Sequence, residues 1–172
     1  MDLEQVSTIA GIINQIITSL AIIVAGIWAY WNFVVRRTGI WNLQIIVNPE
    51  VLPYKNNKRL LVIYVTLKNI GSVKITPGSK GCRVTVYRLE KNGREGKILD
   101  WEKGKIIMKE VDILKRYKGK RGYLGYEIEP NCEFDEIETL IVKRGDLLLI
   151  QADFWWLKNE DVVNDYKVVH VE

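Results

Sequence analysis

The sequence is poor in the residues from which most catalytic and metal sites are built. It contains a single histidine, His170, and two cysteines, Cys82 and Cys132, which are far apart along the chain. One histidine excludes a multi-histidine metal site, and no Cys-x-x-Cys spacing is present to hold zinc. The glycine-rich loops that cradle phosphates and the serine of a nucleophile elbow are also missing. We therefore expect no enzyme activity, no cofactor and no metal.

Carboxylates are present, but their spacing does not favour acid–base catalysis. Glu133, Asp135, Glu136 and Glu138 are interspersed with apolar residues in one strand-like segment. Successive residues of a strand point to opposite faces, so a run of this kind is typical of a solvated surface. We expect a solvated strand face here.

Charge is missing from a long N-terminal segment, because no charged residue occurs between Glu4 and Arg36. Residues 9–35 are almost wholly apolar and predict one transmembrane helix, preceded by a short tail of residues 1–8 and followed by a linker of residues 36–40. At about 1.5 Å per residue such a helix reaches roughly 40 Å, which exceeds the hydrocarbon core of about 30 Å. The segment is long enough to cross a bilayer once.

The flanks of this segment predict its orientation. A cleaved signal peptide has a basic leader and a short apolar core, whereas this leader carries Asp2 and Glu4 and the core is long. Arg36 and Arg37 follow the segment directly, so the positive-inside rule places the C-terminal domain in the cytoplasm and the N-terminus outside. Trp28, Tyr30 and Trp31 are typical of an aromatic belt at the membrane interface. We expect a single-pass protein of a prokaryotic cell membrane.

Small and hydrogen-bonding residues recur along the helix at intervals of three and four. They are Gly11, Asn14, Thr18, Ala21, Ala25 and Ala29. In lipid, helices associate through close backbone approach at small residues and through interhelical hydrogen bonds. The pattern predicts a homo-oligomer formed through this face. Asn14, Gln15, Thr18 and Ser19 are also compatible with the lining of a pore.

The remaining residues, 41–172, show the alternation of short β-strands. The expected strands are residues 41–47, 60–67, 82–87, 98–101, 124–128, 134–142, 148–156 and 166–171. Pro49 and Pro53 are expected to end the first strand, and Asn92-Gly93 indicates a hairpin. Periodicity does not decide whether residues 104–114 are helix or strand. About eight strands with short turns predict an antiparallel β-sandwich of immunoglobulin-like type, or a small barrel.

A basic loop of residues 115–121 is the most distinctive local feature of this domain. Its candidate binding residues are Lys115, Arg116, Tyr117, Lys118, Lys120 and Arg121, with Tyr123 just beyond. Basic groups beside aromatic rings bind phosphates and stack on bases. The same loop is compatible with contact to anionic lipid headgroups, or with a simple solvated hairpin.

Three segments resemble bacterial immunoglobulin-like sandwich domains of the CARDB type. They are Val65-Thr66-Leu67-Lys68-Asn69-Ile70-Gly71-Ser72, Val84-Thr85-Val86-Tyr87 and Ile128-Glu129-Pro130-Asn131. The resemblance covers roughly residues 58–171. It implies a sandwich that serves as an interaction module without catalysis. Such domains are mostly extracellular, so we retain the implied fold and rely on the flanking arginines for the topology.

Three functions are consistent with these patterns. The first is a membrane-anchored scaffold whose cytosolic sandwich recruits a protein partner. The second is a ligand-gated membrane effector of the bacterial antiviral type, in which the basic loop senses an anionic, nucleotide-like signal and the associated helices perturb the membrane. The third, an extracytoplasmic adhesion domain, requires the opposite topology. Membrane lipids are expected partners, and neither DNA nor RNA is expected.

Overall fold

The computed structural model describes residues 3–35, 41–90, 95–96, 98–120, 122–123, 125–156 and 161–172. They divide into two compact units, an N-terminal helical unit and a β unit that begins at Trp41. Arg36, Arg37, Arg121 and the expected Asn92-Gly93 hairpin lie outside the described residues.

The helical unit contains helix α1, Leu3–Tyr30, which continues into a π-helical turn, Trp31–Val35. Its segment Gly11–Val35 is 25 residues long and apolar enough to span a membrane, and none of it is buried within the protein. The helix starts at Leu3, so most of the expected tail is helical. Glu4 and Gln5 are good helix formers, and a helix continues through such residues without apolar side chains.

The β unit contains seven strands among the described residues. They are β1 Leu43–Pro53, β2 Lys58–Asn69, β3 Pro77–Arg88, β4 Lys105–Asp112, β5 Glu133–Lys143, β6 Leu147–Trp156 and β7 Val162–His170. One antiparallel sheet has the order β1-β2-β5 and the other has the order β4-β3-β6-β7. The expected mainly β sandwich behind an apolar helix is confirmed.

The core lies between the inner faces of the two sheets. Strand β2 is central in its sheet and buries Leu61, Ile63 and Val65 completely. Strand β3 of the other sheet contributes Val84 and Val86, both fully buried. These residues alternate with more exposed neighbours, as a period of two requires when one face of each sheet is covered.

Strand β1 does not end at the first of its two prolines, Pro49, as expected. It continues through Pro49, which lies opposite Ile63 of β2, and ends at Pro53. Proline cannot donate a ladder hydrogen bond, but a strand at the edge of a sheet needs donors on one side only. The edge position of β1 therefore permits both prolines.

The expected return strand at residues 98–101 is wrong. Residues 98–100 are irregular and exposed, Trp101–Lys103 is a 3₁₀ turn, and the strand that returns along β3 is β4. The Trp101 ring packs against Tyr87 of β3 and Tyr166 of β7, with ring centroids 5.6 and 5.7 Å apart. Trp101 is therefore an apolar residue of a loop whose ring packs on two aromatic residues, and not a residue of a strand.

The expected strand at residues 124–128 is also absent from the described part of the chain. Ile128 instead forms an isolated bridge with Ile75, in which each backbone N–H donates to the other residue's carbonyl. Tyr126 and Ile128 are buried nevertheless. These two residues lie in a loop that packs against the core. A loop of this kind can show the same alternation of apolar and polar residues as a strand, so periodicity alone does not distinguish them.

A buried asparagine closes one end of the sandwich. The Asn69 amide group donates to the carbonyls of Val73 and Ile128, both at 2.8 Å, and its Oδ1 accepts the Gly71 N–H at 2.9 Å. The residue is fully buried. Its side chain therefore satisfies three backbone groups of two loops that contain no regular ladder.

Candidate functional site

The basic loop begins with a 3₁₀ turn, Lys115–Tyr117, which follows β4. The Arg116 guanidinium donates to Glu136 Oε2 of β5 at 2.6 Å. The Glu136 carboxylate is buried and raises the pKa of Arg116, whose own side chain remains largely exposed. Glu136 is thus a buried ion-pair partner, which corrects the expectation that all the carboxylates of this strand are solvated.

The lysines of the loop differ in whether their side chains contact other residues of the protein. Lys118 Nζ donates to the Ser79 carbonyl at 3.1 Å and lies 5.2 Å from the centroid of the Tyr123 ring. Lys115 and Lys120 are exposed, and within the described residues the side chain of neither makes a hydrogen bond or an ion pair. Lys115 and Lys120 therefore remain available for an anion, whereas Arg116 and Lys118 already bind Glu136 and the Ser79 carbonyl of the same chain.

Three aromatic rings form a row from the basic loop to β5. Tyr117 packs on Tyr126 at a centroid distance of 4.9 Å, and Tyr126 packs on Phe134 at 5.6 Å. Tyr126 is buried, and this burial, together with the Glu136 charge, raises its pKa. Tyr117 and Phe134 are exposed at the two ends of the row. Tyr117 is thus the aromatic residue of the loop that a ligand can reach.

Tyr123 belongs to the core. Its hydroxyl donates a short hydrogen bond to the Asp112 carboxylate, and burial followed by this interaction raises its pKa. The ring lies directly over Gly81, whose φ of +69° favours glycine and where an added Cβ would overlap the tyrosine. The glycine is therefore required both by its backbone conformation and by the close approach of this ring.

The two cysteines are both free thiols. Cys82 is completely buried beside Asp112, and burial raises its pKa. Cys132 is exposed at the start of β5. Among the described residues no group of three or more histidine, cysteine, aspartate or glutamate side chains is arranged to hold a metal ion.

In α1, the residues expected to mediate self-association share one side of the helix. At 100° per residue, Gly11, Asn14, Thr18, Ala21, Ala25 and Ala29 fall within a narrow arc. The Thr18 hydroxyl donates to the Asn14 carbonyl at 2.8 Å, so this hydroxyl is satisfied within the helix. Self-association through this face stays a prediction.

The aromatic residues expected at the membrane interface lie near the C-terminal end of the helical unit. Trp28, Tyr30 and Trp31 are all exposed, as a lipid or headgroup contact requires. The Asn32 side chain donates to the Trp28 carbonyl at 3.0 Å, across the start of the π-helical turn. This hydrogen bond satisfies a carbonyl where the regular helical ladder changes.

One surface was missed in the sequence, namely the outer face of β5. Ile137 and Ile141 point away from the core and are 58% and 50% exposed. The signal was present, because Ile137 and Ile141 fall on one face of the strand while Leu140 and Val142 fall on the other. When a strand at the edge of a sheet carries apolar side chains on both of its faces, the outer face indicates an additional contact surface.

Comparisons with known proteins leave the chain without an assigned family. No family model and no curated protein matches it. One similar solved structure is an X-ray structure of a Northeast Structural Genomics Consortium target, with 11% identity, a TM-score of 0.40 and coverage of 75% of this chain and 84% of that one. Another is the putative ApaA protein from Bordetella pertussis, with 11% identity, a TM-score of 0.41 and coverage of 76% and 94%.

Proposed function

We propose that this chain is a single-pass membrane protein whose β unit is a non-enzymatic interaction module. The observation that carries the proposal is the segment Gly11–Val35, a 25-residue apolar helix of which no part is buried within the protein. In water, a helix with this surface would expose a continuous row of isoleucine, valine and tryptophan side chains. A bilayer removes that surface from water, and the helix satisfies its own backbone hydrogen bonds.

The β unit supports the assignment of separate roles to the helix, as an anchor, and to the sandwich, as an interaction module. It has a core of its own, built from both sheets, and forms a unit separate from the helix. An anchored domain of this kind acts by holding its surface near the membrane, where a partner is recruited. The exposed face of β5 and the available lysines of the basic loop are the surfaces that such contacts would use.

The proposed orientation places the β unit on the cytoplasmic side of a prokaryotic membrane. Arg36 and Arg37 follow the helix, whereas Asp2 and Glu4 precede it. Positive charges close to the end of a span are retained preferentially in the cytoplasm.

Native cysteines offer a direct test of anchoring and orientation. In intact spheroplasts, a membrane-impermeant maleimide should leave Cys132 unlabelled, and permeabilisation should allow its labelling because the thiol is exposed. Cys82 is buried and should not react in either condition unless the protein is unfolded. Labelling is measured by mass spectrometry of the protein recovered from the membrane fraction.

The matched control is Cys132→Ser, which should abolish the signal after permeabilisation. Labelling of Cys132 in intact spheroplasts would contradict the cytoplasmic placement and favour the extracytoplasmic adhesion function. Recovery of the chain in the soluble fraction would contradict the anchor itself.

A further inference from the structure

Strand β5 forms an edge of the three-stranded sheet. Among the described strands it pairs with β2 alone. The hydrogen bonds at its two ends define which residues face β2, because the Arg144 N–H donates to the Asn57 carbonyl and the Asn69 N–H donates to the Cys132 carbonyl. In an antiparallel ladder these bonds recur at every second residue. The odd-numbered residues of β5 therefore direct their N–H and C=O groups away from β2, toward the edge.

The opposite edge of the same sheet is protected, whereas the β5 edge is not. Strand β1 carries Pro49 and Pro53, and its Val47 N–H donates to the Asp165 carboxylate at 2.8 Å. Strand β5 contains no proline, and its pairing with β2 has no register shift over eleven residues. Natural proteins cover or interrupt long, regular edges of this kind. The exception at β5 suggests that another strand covers this edge.

The outward side chains of β5 indicate which strand that is. Their order along the strand is Asp135, Ile137, Thr139, Ile141 and Lys143. This order is complementary to its own reverse. If a second copy runs antiparallel with Thr139 opposite Thr139, each Asp135 faces a Lys143 and each Ile137 faces an Ile141. Opposite charges, aliphatic pairs and threonine pairs are the combinations that stabilise antiparallel strands.

We propose that β5 pairs with β5 of a second copy of this chain, about a two-fold axis that passes through Thr139. The two three-stranded sheets then form one continuous six-stranded sheet, and the four exposed isoleucines form a single apolar patch on its outer face. The Thr139 N–H, which the Glu138 carboxylate now accepts at 3.1 Å, is released to the second copy. This dimer does not depend on the association of the transmembrane helices.

The alternative register shows that the side chains select one arrangement. A two-fold axis through Glu138 would place two glutamates opposite each other and Asp135 opposite Ile141. Like charges directly opposite each other destabilise a strand pair. The axis through Thr139 avoids both contacts.

Disulfide cross-linking of the full chain in native membranes tests this arrangement. In a Cys132→Ser background, Thr139→Cys should form a disulfide dimer under mild oxidation, because hydrogen-bonded antiparallel positions have Cα atoms about 5.5 Å apart. The matched controls are Glu138→Cys, which reports the other register, and Gln44→Cys on the outer face of β1. We expect at least tenfold more dimer for Thr139→Cys than for either control on a non-reducing gel. Equal cross-linking of Gln44→Cys would show random collision and overturn the proposal, as would preferential cross-linking of Glu138→Cys.

A charge exchange provides an independent arm of the test. In the Thr139→Cys protein, Asp135→Lys and Lys143→Asp should each lower the yield of dimer several-fold. The two changes together restore complementarity and should restore the yield. Unchanged yields in the single variants, or no recovery in the double variant, would overturn the proposal. Tryptophan fluorescence of each variant confirms that it is folded.

Discussion

A few buried polar side chains of the sandwich form hydrogen bonds with loops that have no regular β-ladder of backbone hydrogen bonds. Asn69 satisfies three backbone groups, and Glu136 accepts the Arg116 guanidinium from within the sheet. Buried polar groups cost little when they are fully hydrogen-bonded and cost much more when one partner is removed. The stability of the loops at this end of the molecule therefore depends on a few residues.

Replacement of Asn69 by leucine should destabilise the β unit. The change removes three hydrogen bonds and leaves the Val73 carbonyl without its partner, whereas the Ile128 carbonyl keeps the Ile75 N–H and the Gly71 N–H keeps the Asn42 carbonyl. We expect the free energy of unfolding to fall by about 1–3 kcal/mol. Urea denaturation of the detergent-solubilised protein, followed by tryptophan fluorescence, measures the effect. Asn48→Ala, at an exposed position of β1, is the matched control and should change stability by less than about 0.5 kcal/mol. A similar loss in both variants would contradict the role assigned to Asn69.

Asp153 predicts a pH dependence of stability. Burial raises its pKa, even though the Gln151 amide donates to both carboxylate oxygens. A carboxyl whose pKa is raised on folding contributes stability that is complete below the unfolded pKa, near 3.9, and is lost as the pH rises through the folded value. Asp153→Asn should therefore raise the free energy of unfolding at pH 7 and have little effect near pH 3.

The measurement for Asp153 is denaturation of both proteins at several pH values. The exposed Asp161→Asn variant is the control and should show no such trend. A benefit of Asp153→Asn that stays constant down to pH 3 would point to altered packing rather than to the charge.

At the scale of elements, position within a sheet decided what each strand tolerates. Strand β1 accepts two prolines because it is an edge, β2 is apolar on both faces because it is central, and β5 keeps an open edge with exposed isoleucines. In the membrane that we propose for the helix, its small-residue face would be the side on which a second helix approaches closely.

Larger residues on that face should weaken association of the helices. Ala21→Leu together with Ala25→Leu separates the backbones, and we expect a several-fold fall in self-association of α1. Energy transfer between labelled full-length copies in lipid vesicles, carrying Lys143→Asp to weaken the β5 contact, measures it. Ile23→Leu with Ile27→Leu, on the opposite side of the helix, is the matched control. Unchanged energy transfer in the variant with both Ala21→Leu and Ala25→Leu would contradict self-association through this face.

For the whole molecule, the two units answer different physical demands. The segment Gly11–Val35 is not buried within the protein, and the β unit encloses its own core. The proposed anchor and the proposed β5 dimer would together raise the effective concentration of the binding surfaces, which would strengthen partner binding without any new contact.

The apolar helix, the mainly β class and the central position of β2 follow from the sequence alone, because the length of an apolar run and a period of two are local properties of the chain. The tertiary structure decided which apolar loop residues fill the core, as at Tyr126 and Trp101. It also decided that Glu136 is buried, that Arg116 and Lys118 are engaged internally, and that β1 and β5 are edges. Those features depend on residues that are distant in the sequence, so no local pattern contains them. The sequence by itself determined what each segment can form, and only the packing of the sheets determined which of its faces is left for function.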